Sequence, residues 1–113
     1  MIAATVAMIA DSEGTAAMVI RQAFDALERP ADRNLLRLRH GGQASLHGLA
    51  RMFGTTEDTV ARWIAALRAQ LLDDARFRLA ERLVAAGEHD VDGAIRAARA
   101  ALDEALDAVL AAD

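Results

Sequence analysis

From Glu57 to about Ala86 the chain runs without a glycine or proline. Its large apolar residues recur at helical spacing: Val60, Trp63 or Ile64, Leu67, Leu71, Leu79 and Leu83. Such a run predicts one long helix with an apolar side, and two glycines fence it, Gly54 before and Gly87 after. Glu57 and Asp58 stand at its start, where the positive end of the helix dipole favours acids. Thr56 is placed to cap it by accepting a first-turn amide.

The flanking segments read as shorter helices. Residues 15–28 put Val19 or Ile20, Ala23 or Phe24, and Leu27 on one face. Pro30 is expected to end that helix, because a residue before proline is pushed out of the α region. Asp32 is the expected cap of a helix from Arg33 to Arg39 that buries Leu35, Leu36 and Leu38. The paired glycines after His40 mark a loop, and Ser45 caps a short helix from Leu46 to Phe53. Gly87 to Asp90 breaks the chain again. The last helix, Val91 to Ala111, repeats Ile95, Ala98, Leu102, Ala105 or Leu106, and Val109 at three-four spacing.

Alanine, leucine and arginine dominate and alternating β-branched runs are missing, so the fold class is all-α. At 113 residues and 54% apolar, much of it alanine, the chain suits one small domain with a thin core. Three segments are distinguished: an N-terminal helix (1–30), a central helical unit (31–86) and an acidic, alanine-rich C-terminal helix (87–113). Met8, Met18 and Met52 read as filler for the core. There is no cysteine, hence no disulfide, thiolate metal site or thiol nucleophile. Met1 to Ala10 is apolar but has no basic flank and is cut short by Asp11 and Glu13. It is neither a signal peptide nor long enough to span a bilayer, and a cytoplasmic protein without membrane contact is expected.

Every one of the thirteen basic residues is arginine, and the net charge is −4. That balance counts against indiscriminate polyanion binding. The distribution is uneven. Residues 31–82 carry nine arginines against six acids, whereas residues 83–113 carry two against seven. A mildly basic centre thus lies between acidic ends.

The centre also has the spacing of a helix-turn-helix. That motif needs a small residue in the first helix, a turn residue tolerant of left-handed φ, and apolar residues joining the two helices. Ala50, Gly54, and Leu49, Phe53, Val60 and Trp63 fill those slots, with Phe53 and Trp63 expected in the core. Asp32 to His40, Ser45 to Gly54, Thr59 to Ala66 and Leu71-Leu72 together resemble region 4 of sigma-70 family RNA polymerase sigma factors, the myxobacterial-type branch above all. Leu79 to Leu83 and the tail helix Asp92 to Leu110 extend the resemblance over roughly residues 18–110.

The resemblance implies a small helical domain, sigma region 4-like, with an additional C-terminal helix. It further implies recognition of a −35-type promoter element by the second helix and docking on RNA polymerase core. Carried onto this sequence, the groove contacts are Thr56, Asp58, Thr59 and Arg62, the phosphate contacts are Arg51 and Arg68, and Thr55 is a further DNA-binding residue. Glu57 departs from the family, which usually has a basic or neutral polar residue there. No segment corresponds to the part that melts promoter DNA, so promoter opening by this chain alone is not expected.

Each functional residue has a plainer role beside the implied one. Arg62 can pair bidentately with guanine, yet Asp58 lies four residues back, where the two would form an ion pair. With two acids among the arginines, DNA binding is expected to be weak and salt-sensitive. His40 and His47 flank the glycine loop without further ligands at metal-binding spacing. No nucleophile, phosphate loop or cofactor motif appears, so an enzyme is not expected. Ile95, Leu102, Leu106 and Val109 form a seam that either folds back beside Leu79 and Leu83 or pairs with a second copy or a regulatory protein. The acids around that seam can lie against the central arginines and weaken DNA contact. The alternative function is a protein-interaction module that binds polymerase or another partner with little DNA affinity.

Overall fold

A computed structural model describes residues 13–111. Those residues form six α-helices and no strand: α1 (Glu13–Asp25), α2 (Pro30–His40), α3 (Leu46–Phe53), α4 (Glu57–Ala85), α5 (Val91–Ala97) and α6 (Arg99–Ala111). None of them is long and apolar enough to cross a membrane.

The spine is α4. Its 29 residues span about 43 Å at 1.5 Å per residue, close to the 50 Å longest dimension of the molecule. Its buried positions are Val60, Ile64, Leu67, Leu71, Ala75, Leu79 and Leu83. Most of these steps are four residues, slightly more than one turn. At about 100° per residue the buried stripe therefore winds by roughly 140° around the helix from end to end. No single neighbour can cover a stripe that turns so far. Helix α3 packs on it, α1 packs extensively on both α4 and α6, and α5 and α6 close other parts.

The result is one core. Buried residues from Ala16 to Leu110 form a single cluster to which every helix contributes, so segments 13–30, 31–86 and 87–111 meet in it. Val19, Ile20, Leu36, Leu49 and Val60 are fully buried, as is Leu106.

Several local expectations are corrected. Helix α1 already ends at Asp25, and Pro30 opens α2 rather than closing its predecessor. Proline fits a first helical position, where its missing N–H leaves nothing unpaired and its φ is already helical. Asp32 therefore lies inside the first turn instead of at the cap, and Arg29 takes the cap position without a side-chain bond. Arg33 donates to the Leu27 carbonyl just beyond α1, tying the two helices together. The last helix is not continuous: α5 stops at Ala97 and α6 begins at Arg99.

Phe53 and Trp63 are not core residues, each being 42% exposed. Ile64 fills the core slot on that turn of α4, which leaves its neighbour Trp63 outward. Met52 is exposed and Met18 half-buried, while Met8 and the apolar opening segment lie outside the described residues.

Candidate nucleic-acid interface

The interface expected from the sequence centres on the junction of α3 and α4. Ser45 caps α3 by accepting the Gly48 amide at 3.0 Å. Nine residues later Gly54 ends it in the left-handed region, φ 65° and ψ 37°. The Gly54 amide donates to the Arg51 carbonyl at 3.3 Å and the Thr55 amide to the Ala50 carbonyl at 2.9 Å. These two bonds satisfy the last carbonyls of α3 and reverse the chain. Thr56 then starts α4, its hydroxyl oxygen accepting the Thr59 amide at 3.2 Å. The same hydroxyl donates to Thr59 Oγ1 at 2.9 Å, which leaves the Thr59 proton free to point elsewhere.

This turn sets the first two turns of α4 against α3 on one side only. Val60 faces the core, while Arg51, Thr56, Asp58 and Arg62 are exposed and Thr55 and Thr59 half-exposed. Arg62 Nη2 lies 3.4 Å from Asp58 Oδ2, with both side chains largely in water. An exposed i,i+4 pair is worth only about 0.3–0.5 kcal/mol. A bidentate arginine–guanine contact is worth about 1–3 kcal/mol of discrimination. The pair therefore does not hold Arg62 back from a base edge. Arg51, at the end of α3, has no ion-pair partner among the described residues. Glu57 turns back across the junction to His47 Nδ1 at 3.4 Å, which draws its charge toward α3.

Arg68 stands apart from this group. Six residues beyond Arg62, it points about 120° away around α4. Its Nη2 donates to Asp107 Oδ1 of α6 at 2.7 Å, and its Nη1 lies 3.3 Å from His40 Nε2 at the end of α2. Burial, and then the neighbouring Arg68 guanidinium, lower the His40 pKa from its ordinary 6.5. A neutral His40 accepts from Nη1. The structure thus brings Thr55, Thr56, Asp58, Thr59 and Arg62 together and leaves Arg68 on a separate flank, already bonded to the tail.

Of the two arrangements open to the tail seam, folding back and pairing with a partner, the fold takes the first. Leu102, Leu106 and Val109 are buried in the chain's own core, and Ile95 packs half-buried against it. Leu79 and Leu83 belong to the same cluster. Small residues along the seam let α6 approach closely, and intramolecular burial consumes the apolar face that a dimer would need.

A groove of about 380 Å³ between the start of α2 and α4 went unforeseen. Buried Leu35 and Leu67 line it together with the exposed rings of Phe53 and Trp63, and Arg29 and Asp32 border it. The two rings meet edge to face with centroids 6.0 Å apart. The sequence signal was the adjacency of Trp63 and Ile64, which compete for the same turn of the apolar stripe on α4; Ile64 is buried and Trp63 is left at its edge.

No family model, curated protein or solved structure matches this chain.

Proposed function

We propose that the chain is a DNA-binding transcription module of the sigma region 4 type. In this reading α3, the Gly54 turn and α4 act as a helix-turn-helix that reads a −35-type promoter element and docks on RNA polymerase core. The observation that carries it is the junction itself. A left-handed glycine stop and a threonine cap leave Thr55 and Thr56 in the turn, and Asp58, Thr59 and Arg62 on the first two turns of α4, outside the buried core. Arg62 is the reader and Arg51 a phosphate contact. Asp58 and Glu57 keep the affinity low.

The test is a salt titration of binding to promoter-like duplex DNA beside an Arg62→Ala variant. The expected result is weak binding that falls steeply with salt, the slope changing by roughly 0.9 per neutralised phosphate. Loss of Arg62 should cost about 1–3 kcal/mol on the preferred sequence. A salt-independent affinity, or equal binding by the variant, overturns the reading.

The groove favours a second reading, a protein-interaction module. Exposed Phe53, Trp63 and Met52 beside a cleft offer aromatic and methionine anchors of the sort enriched at protein interfaces. An apolar helix of a polymerase subunit or regulator is the matching occupant. Trp63 is the single tryptophan of the chain, so its fluorescence reports such binding directly. Absence of DNA binding at low salt, with a partner whose affinity Trp63→Ala removes, would favour this second reading over the first.

A further inference from the structure

We propose that Arg68 and His40 form a site for a backbone phosphate, and that the Asp107 carboxylate occupies it as an internal substitute for that phosphate. This rests on the DNA-binding reading above and adds to it the means by which the tail helix limits affinity.

The geometry is that of an anion site already filled. Asp107 Oδ1 sits 2.7 Å from Arg68 Nη2, the distance of a charge-assisted bond to a carboxylate or phosphate oxygen. His40 Nε2, 3.3 Å from Nη1, takes the other terminal nitrogen and fixes the plane of the guanidinium. The Arg68 side chain is 29% exposed and that of Asp107 66%. The carboxylate therefore lies on the solvent side of the guanidinium, where an incoming phosphate would have to approach.

Helix α6 cannot withdraw to open the site. Leu102, Leu106 and Leu110 hold it in the core at 1% exposure or less. A phosphate is held there only if Arg68 leaves Asp107 for it, a side-chain exchange that the carboxylate opposes because it stays nearby and repels the phosphate. Asp107 thus removes one phosphate contact and adds one unfavourable charge. By contrast, the exposed pair of Arg62 and Asp58 lies on the outer face of α4 and closes no comparable site.

The test is equilibrium binding of a promoter-like duplex over a series of salt concentrations by the wild type, Asp107→Asn, Asp103→Asn and the double variant Arg68→Ala/Asp107→Asn. Asp103 is an exposed acid one turn earlier on α6, so it controls for the general effect of removing a charge. Asp107→Asn is expected to bind roughly five- to tenfold more tightly at 0.1 M salt, with a salt slope steeper by about 0.9, the value of one additional phosphate. Asp103→Asn should leave the slope unchanged, and adding Arg68→Ala should abolish the gain. Thermal melting of each variant confirms an intact fold, since Asp103 and Asp107 are both exposed. Wild-type affinity and slope in Asp107→Asn overturn the proposal while leaving the DNA-binding reading standing. An equal gain from Asp103→Asn, or a gain that survives loss of Arg68, also overturns it. If neither wild type nor Asp107→Asn binds DNA at low salt, the DNA-binding reading and this proposal fall together.

Discussion

At Gly54 a residue without a β-carbon takes φ 65°, and the direction of α4 depends on it. Nothing lies within 4 Å of where a β-carbon would be, so the cost of a side chain there is conformational rather than steric. Gly54→Ala is expected to destabilise the fold by about 1 kcal/mol, lowering the melting temperature by roughly 4 °C. Gly54→Asn should recover part of that loss, because asparagine tolerates the left-handed region. A variant with an unchanged melting temperature would contradict the left-handed stop. Thr56→Ala removes the cap of the long helix and should cost about 1 kcal/mol by the same measurement. Both positions were legible in the sequence, as were the Ser45 cap and the pairing of Asp58 with Arg62. Each depends on residues three or four apart, whose separation any helix fixes. Trp63 was not legible, because whether it or Ile64 faces inward depends on which side of α4 the other helices cover.

Among the elements, α6 was seen in the sequence but its role was not. The three-four stripe of Ile95, Ala98, Leu102, Leu106 and Val109 specifies an apolar face without naming what covers it. In the fold α1 and α4 cover it, and α2 touches it as well. Leu106 is fully buried, so Leu106→Ala should lower stability by about 2–5 kcal/mol in denaturant unfolding, the usual range for a buried leucine. Removing residues 88–113 takes away Leu102, Leu106 and Leu110 together. Against a total stability of about 5–15 kcal/mol, the truncated chain should lose its cooperative transition. A folded truncation would show that α6 is not part of the core. Helix α4 shows a similar limit. Its length followed from the unbroken run, whereas the winding of its buried stripe needed several partners that the run itself does not identify.

Across the whole molecule, charge counted along the chain differs from charge available at the surface. Part of the basic centre of the sequence is paired in the fold: Arg62 with Asp58, Arg68 with Asp107, Arg76 with Asp73 at 2.6 Å and Arg78 with Asp74 at 3.1 Å. The Arg68–Asp107 pair joins residues 39 apart and could not be read from local spacing. It also brings His40 of α2 beside Arg68 of α4 and Asp107 of α6. Burial first, then Arg68 and more weakly Arg39, lower the His40 pKa, while Asp107 acts in the opposite sense. As pH falls below about 6.5, the unfolded chain therefore takes up this proton before the folded one does. The stabilising contribution of neutral His40 is complete above that pH and declines below it, until the folded group also titrates. Denaturant unfolding from pH 7.5 down to 5.5 should show the wild type losing stability relative to His40→Gln. A wild-type advantage that grows as pH falls would contradict the buried, neutral histidine.

The sequence by itself determined the all-helical class, the stops at Gly54 and Gly87, the caps at Ser45 and Thr56, and the outward Asp58–Arg62 pair. All of these follow from backbone geometry and contacts within one helical turn. Only the tertiary structure decided that Pro30 begins a helix, that Phe53 and Trp63 border a groove, and that the tail seam is buried. It also decided that Arg68 is held by Asp107. Those outcomes depend on which apolar faces meet, and residues far apart in the chain compete for the same buried surface.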